Sequence, residues 1–107
     1  MYTRLFHAEI QPGKEEEAWK ILDEFVPRVK QRRGCIFNQT LRSGTHVVGI
    51  TSWKTNEDLA QYADSELARE LWSRITPFLM GAPVARTYEV KMNMCDPDAL
   101  EPVRGRA

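Results

Sequence analysis

Residues 49–65 read GITSWKTNEDLAQYADS, and within them the hydrophobic period changes from that of a strand to that of a helix. A β-branched run ends at Trp53, and beyond Thr55 the apolar side chains, including Tyr62, recur at helical spacing. Thr55 can cap this helix, because Asp58 follows three residues later in a pattern close to a capping box. The stretch therefore predicts a strand that leads directly into a helix.

The same patterns extend in both directions from this junction. Alternation predicts strands at residues 2–11, 35–42, 46–54 and 84–93. A first helix should begin at Lys14, with Pro27 kinking it or ending its regular part and Gly34 stopping it. The second helical region, from Thr55, should break near residues 63–65. This order predicts an α+β, ferredoxin-like βαββαβ fold, an antiparallel sheet with its helices on one face.

Length and composition limit the class of protein. The chain has 107 residues, 42% hydrophobic and 28% charged, which is typical of one small globular domain. We assign that domain to residues 1–94 and a polar tail without periodicity to residues 95–107. With 15 acidic and 15 basic residues, the chain gives no electrostatic reason to expect a nucleic-acid partner. No membrane-spanning or signal segment is visible, so we expect a cytoplasmic protein without a membrane partner.

Residues that could bind metals or act as nucleophiles are sparse. Cys35 and Cys95 lack the spacing of a zinc site. His7 and Glu9 share one face of the first strand and could ligate a metal or form a base dyad. Without a third ligand, we interpret them as part of an interface hydrogen-bond network, and we expect His46, at a hairpin end, to contact solvent. The sequence therefore predicts no metal site.

The two faces of the predicted sheet differ in polarity. The more apolar set should face the helices, and it comprises Phe6, Ala8, Ile10, Phe37, Leu41, Val48, Ile50, Val84, Tyr88, Val90 and Met92. The other set comprises Leu5, His7, Glu9, Asn38, Thr40, Val47, Thr51, Trp53, Thr87 and Glu89. Because that second face is too apolar for water and too polar for a monomer core, we predict that a second copy covers it in a two-fold homodimer.

Three segments, in order, resemble the antibiotic biosynthesis monooxygenase family of the dimeric α/β-barrel superfamily: IQPGKEEEAWKIL, GCIFNQTLR and VVGITSWKTNEDLAQYADSELARELW. The resemblance covers residues 3–92, and its most specific part is the strand ending in Trp53, the acidic helix start at Glu57 and Asp58, and the aromatic Tyr62. It implies a chain that dimerises into an α/β-barrel. It also implies a cofactor-independent monooxygenase that acts on a small aromatic or quinol-like molecule.

The family also contains haem-degrading enzymes, which use an Asn on the first strand, a helix Trp and a helix His. The matching positions here hold Phe6, Tyr62 and Trp72. Because the iron ligand is missing, the resemblance implies no haem. The missing Asn also favours a second hypothesis, a non-enzymatic dimer that binds or senses a small molecule. Isomerisation or decarboxylation is a third hypothesis.

The family places its ligand pocket between the helices and the sheet, and this gives the candidate site. The candidate catalytic residues are Arg86, Tyr62 and Tyr88, and the candidate substrate-binding residues are Phe6, Phe37, Gln39, Trp72 and Phe78. Aromatic walls with a few polar groups suit a flat organic ligand, although the same spacing is also typical of a plain core. Arg86 would stabilise the substrate anion that gives electrons to O₂, and deprotonation would occur near Tyr62 or Tyr88.

Overall fold

The computed structural model of the protein describes residues 1–95. Its elements are β1 (Tyr2–Glu9), α1 (Glu15–Lys30), β2 (Cys35–Ser43), β3 (His46–Trp53), α2 (Asn56–Ala63), α3 (Glu66–Ile75), a short 3₁₀ helix (Thr76–Phe78) and β4 (Val84–Glu89). The strands form one antiparallel sheet in the order β2-β3-β1-β4. The predicted α+β, ferredoxin-like fold is confirmed, and within one chain the sheet is open. Of the predicted tail, all but Cys95 lies outside the described residues.

The strand-to-helix junction forms as the sequence predicts. The hydroxyl oxygen of Thr55 accepts a hydrogen bond from the backbone amide of Asp58 at 3.0 Å, which caps α2. Ser65 caps α3 in the same way, accepting from the amide of Ala68 at 3.2 Å. Each cap satisfies an N–H group that a helix start leaves without a partner. The predicted break in the second helical region is therefore the boundary between α2 and α3.

Pro27 lies inside α1 but does not end it, since the helix continues to Lys30. Proline has no amide hydrogen, so the carbonyl of Asp23 loses its helical partner, and Asp23 is exposed to water. Gly34, with a φ of +83°, then turns the chain toward β2. Although α1 is the longest of the helices in residues 1–95, with 16 residues, none of them combines the length and apolarity needed to cross a membrane.

The helices pack on one face of the sheet through two hydrophobic clusters. The first cluster contains Ala8, Ile10, Ala18, Ile21, Leu22, Phe25, Val47, Leu71, Ile75 and Leu79. The second cluster contains Val29, Trp53, Leu59, Tyr62 and Ala68. Trp53 is 0% exposed and lies in this second core, so the prediction that it occupies the opposite face is wrong. A side chain of this size gains more from burial than any other in the sheet.

The predicted faces hold for β1 and are wrong for β2, β3 and β4. In β1, Phe6, Ala8 and Ile10 face the helices, and residues directly opposite in neighbouring strands share a face. Phe6 is opposite Gly49 in β3 and Ala85 in β4. Because side chains alternate along a strand, every second residue counted from Gly49 and from Ala85 also faces the helices. In β2 a bulge between Cys35 and Phe37 shifts the alternation by one position.

The sheet face turned away from the helices, called the open face below, is consequently the more apolar one. It carries Leu5, His7, Glu9, Phe37, Gln39, Leu41, His46, Val48, Ile50, Val84, Arg86 and Tyr88. The face toward the helices carries Asn38, Thr40, Val47, Thr51, Thr87 and Glu89 on the same strands. The prediction that the helices cover the more apolar side of these three strands is therefore wrong, since they cover the more polar side.

Candidate functional site

A cavity of about 60 Å³ lies between the helices and the sheet. The strands contribute Arg4, Phe6, Asn38, Gly49 and Thr51 to its wall. The helices contribute Leu22, Val26, Val29, Tyr62, Leu71 and Trp72. A mostly apolar wall with a small number of polar groups is the usual composition of a small-molecule site.

The structure brings together only part of the predicted site. Phe6, Tyr62 and Trp72 line the cavity. Phe78 packs against the first cluster but is not in the cavity wall. The remaining predicted residues lie on the open face, and they are Phe37, Gln39, Arg86 and Tyr88. The prediction that these four line the pocket is wrong, because the sheet itself separates them from it.

Arg4, which sequence reasoning did not select, supplies the cation of the cavity. Its guanidinium carbon lies 5.9 Å from the centroid of the Tyr62 ring. Among residues 1–95, no carboxylate lies within ion-pair distance of Arg4. The signal was present, since Arg4 precedes Phe6 by two residues and so shares its face. Arg86 instead lies over the Tyr88 ring, at 5.3 Å, on the open face.

Tyr62 is a buried, stacked residue of the cavity wall. It is 6% exposed, and Trp53 stacks on its ring with centroids 5.1 Å apart and planes 17° apart. Burial raises the pKa of the Tyr62 hydroxyl, and the nearby charge of Arg4 acts in the opposite direction. The hydroxyl is therefore protonated at neutral pH. Within the described part of the chain it has no hydrogen-bond partner, so it is free to donate to a ligand.

Two other polar wall residues are fixed by the protein. The side-chain amide of Asn38 donates to the carbonyl oxygen of Val26 in α1 at 3.0 Å. The hydroxyl of Thr51 accepts from the indole nitrogen of Trp53 at 2.9 Å. Because β2 is thereby tied to α1 and β3 to the second cluster, this side of the wall is pre-organised.

The opposite side of the wall is formed by a contact between two aromatic rings. Phe6 and Trp72 meet edge to face, with centroids 5.3 Å apart and planes at 84°. A surface depression of about 430 Å³ lies beside the cavity, lined by Arg4, Ala63, Ala68, Arg69 and Trp72. Because Arg4 and Trp72 belong to both walls, these two side chains lie between the cavity and the depression.

Comparison with solved structures defines the class: this is the fold of a group of proteins named as antibiotic biosynthesis monooxygenases. The "Putative antibiotic biosynthesis monooxygenase from Nitrosomonas europaea" is similar with a TM-score of 0.78 and 16% identity, over 86% of this chain and 100% of that one. A protein of the same printed description from Caulobacter crescentus CB15 has a TM-score of 0.77 and 19% identity, over 85% and 90%. One from Deinococcus radiodurans has a TM-score of 0.80 and 9% identity, over 90% and 98%.

At sequence identities of 9–19%, these similarities show a shared fold, and a shared fold does not determine the activity. No protein-family model matches the sequence, and no curated protein matches it significantly.

Proposed function

We propose that this protein is a cofactor-independent monooxygenase that binds a small aromatic or quinol-like molecule between its helices and its sheet. The observation that carries the proposal is the cavity, whose mostly apolar and aromatic wall includes both Arg4 and Tyr62. The names of the proteins that share the fold support the same reaction class.

Attack on O₂ without a cofactor requires an electron-rich substrate anion, and the site offers the groups that would stabilise one. A guanidinium that pairs with no carboxylate of residues 1–95 is available to a phenolate oxygen, and a protonated tyrosine can donate a hydrogen bond to the same atom. The anion then supplies electrons to O₂. A quinol and O₂ give a hydroxyquinone and one water, so one oxygen atom enters the ring and the other leaves reduced.

The size of the cavity requires that it open before such a substrate enters. An apolar protein cavity that holds benzene has a volume of about 150 Å³, and this one measures about 60 Å³. Moving the Trp72 side chain away from Phe6 would join the cavity to the depression of about 430 Å³ beside it. We therefore propose that Trp72 is displaced when the ligand binds, which leaves Arg4 at the junction of the two spaces.

The experiment is O₂ uptake by the purified, chelator-treated protein with a panel of phenols and quinols of one to three rings. We expect catalysed uptake above autoxidation, and one ¹⁸O atom in the product when ¹⁸O₂ is supplied. Arg4→Gln should lower the rate at least about tenfold, the effect of losing about 1.4 kcal/mol of anion stabilisation. Arg42→Gln is the matched control, since Arg42 also lies over an aromatic ring, that of Trp19, at 5.8 Å, but outside the cavity wall.

Two results would overturn the proposal in different ways. Ligand binding that depends on Arg4 without any O₂ consumption would assign the protein to non-enzymatic binding or sensing. A product that forms without added oxygen would assign it to isomerisation or decarboxylation.

We also propose that the protein is a homodimer joined through the open face. Several apolar side chains on that face are well exposed in the single chain, with Val84 63%, Tyr88 43% and Leu41 42% exposed. They surround Leu5 and Ile50, which are opposite one another on the two central strands. An apolar centre with polar groups toward its edges is the anatomy of a protein–protein interface, and identical chains most often pair with two-fold symmetry.

A further inference from the structure

A chain of three polar side chains lies at one end of the open face, on the opposite side of the sheet from the cavity. His7 Nδ1 lies 3.4 Å from His46 Nε2, and His46 Nδ1 lies 2.7 Å from Glu9 Oε1. The Thr45 hydroxyl donates to Glu9 Oε2 at 2.9 Å. Strand pairing assembles this group, since Glu9 is directly opposite His46, and His7 is two residues earlier on β1.

The hydrogen bonds determine which nitrogen of His46 carries a proton. The Glu9 carboxylate accepts hydrogen bonds from the Thr45 hydroxyl and from His46 Nδ1. An ionised carboxylate only accepts hydrogen bonds, so His46 Nδ1 must be the donor. In neutral His46 the lone pair is then on Nε2, the atom that faces His7.

We propose that His7 Nδ1 and His46 Nε2 bind a divalent zinc-class metal ion. Two imidazole nitrogens that each lie about 2.0–2.1 Å from a tetrahedral metal are about 3.3–3.4 Å apart. The observed separation of 3.4 Å matches that distance, whereas it is long for a hydrogen bond between the two rings. Metal binding requires both rings to rotate, so that the two lone pairs point at one ion instead of along the line that joins the rings.

Glu9 acts as an outer-shell partner in this site. Histidines that bind metals usually donate their other ring N–H to a carboxylate, which fixes the tautomer and raises the basicity of the ligand nitrogen. The bond of 2.7 Å between His46 and Glu9 already has this arrangement. The protein thus supplies a ligand ring oriented in advance, and the orientation does not depend on the metal.

The group lies at the end of β1 and β3, at the edge of the proposed dimer interface, and the His46 and Glu9 side chains are 40% and 45% exposed in the single chain. Water can therefore fill the remaining coordination positions. Within residues 1–95, no group of three or more His, Cys, Asp and Glu side chains that could hold a metal is found. Two neutral imidazoles favour zinc, copper and nickel over calcium or magnesium, which prefer oxygen ligands. The cation of Arg86, on the same face, is directed at the Tyr88 ring, away from the pair. The earlier expectation of no metal considered His7 and Glu9 alone, without the strand pairing that adds His46.

The test is calorimetric titration of the untagged full-length chain with ZnCl₂. We expect one zinc ion per chain, and affinity at least tenfold weaker in His7→Gln and in His46→Gln. The chain has two histidines in all, so each variant leaves a single imidazole. Glu9→Gln should weaken binding by about 10–100-fold, as losses of outer-shell partners do. Glu57→Gln, an exposed carboxylate at the start of α2, is the matched control and should bind zinc normally.

The titrations are made with Cys35→Ser and Cys95→Ser combined in every variant, because thiols also bind zinc. No binding by this parent chain, or equal binding by the parent and the two histidine variants, would overturn the inference. Circular dichroism of each variant must match the parent, so that a loss of binding is not a loss of fold. The site is separate from the cavity, and O₂ uptake should be the same with and without zinc.

Discussion

At the scale of the residue, the buried hydroxyl of Tyr62 should make stability depend on alkaline pH. Burial raises its pKa in the folded state, and the unfolded value is about 10. Above that pH the unfolded chain releases this proton while the folded chain retains it, so the free energy of unfolding falls as pH rises. The contribution is fully present below pH 10 or so and is lost above it, with a slope of at most about 1.4 kcal/mol per pH unit for one proton.

Tyr62→Phe removes this titrating group while keeping the ring on Trp53. We expect the variant to lose stability less steeply than the wild type between pH 9 and pH 11, measured as urea-unfolding free energies at intervals across that range. The two other tyrosines are unchanged in the pair and cancel in the difference. Parallel curves for the two proteins would contradict the argument.

The candidate site shows which cavity residues could be predicted from the sequence and which could not. Tyr62, on α2, and Trp72, on α3, were selected because the family resemblance places its pocket between the helices and the sheet, and both line the cavity. Arg86 was selected from the face of the last predicted strand that carries Val84 and Tyr88, but that face is turned away from the helices. The predicted cation therefore lies on the opposite side of the sheet from the cavity, because a residue's charge can be read from the sequence but its face depends on strand pairing.

At the scale of the element, local signals predicted every α-helix and strand of residues 1–95, although β4 ends at Glu89 instead of residue 93 and the 3₁₀ helix was not separated from α3. Caps such as those at Thr55 and Ser65 depend on side chains within four residues, so the sequence contains them directly. The faces of β2, β3 and β4 depend instead on registers with distant strands, including the bulge after Cys35. Polarity alone could not choose between the faces, because an apolar face looks the same whether its own helices or a second molecule would cover it.

The turn between α1 and β2 provides a prediction at this scale. Gly34 has a φ of +83°, and a Cβ built on it would overlap the side chain of Asp58 in the first turn of α2. Gly44, in the hairpin between β2 and β3, has a φ of +60° with open space around it. Alanine should therefore destabilise the protein at both positions. At Gly44 the only cause is the backbone conformation, whereas at Gly34 the overlap with Asp58 adds to it.

Gly44→Ala should cost about 1–2 kcal/mol of stability, the strain of a left-handed backbone. Gly34→Ala should cost about 1–3 kcal/mol more, because Asp58 and α2 must also shift. Chemical denaturation of the two variants measures the difference directly. In the combined variant Gly34→Ala and Asp58→Ala, part of the extra cost should be recovered. Equal losses of stability in the two alanine variants would contradict this prediction, because they would show that displacing Asp58 and α2 costs no free energy.

At the scale of the whole molecule, the sheet separates two surfaces with different proposed roles. The face toward the helices encloses the cavity with Arg4 and Tyr62, and the open face carries the apolar patch around Ile50. An assembly through the open face leaves the depression beside Trp72 exposed in both copies, because that depression lies on the helical side. The homodimer and an independent ligand site in each chain are therefore compatible.

The last prediction concerns this assembly. Ile50→Glu places a charge at the centre of the open face, where a second copy would remove it from water, so we expect the dimer to weaken by at least about 2 kcal/mol, or about 30-fold in Kd. Thr87→Glu is the matched control, since Thr87 is an exposed residue of β4 on the other side of the sheet. Sedimentation velocity at micromolar concentration should give twice the chain mass of 12.4 kDa for the wild type and Thr87→Glu, and a single chain for Ile50→Glu. A monomeric wild type, or an Ile50→Glu variant that remains dimeric, would exclude the open face as the interface.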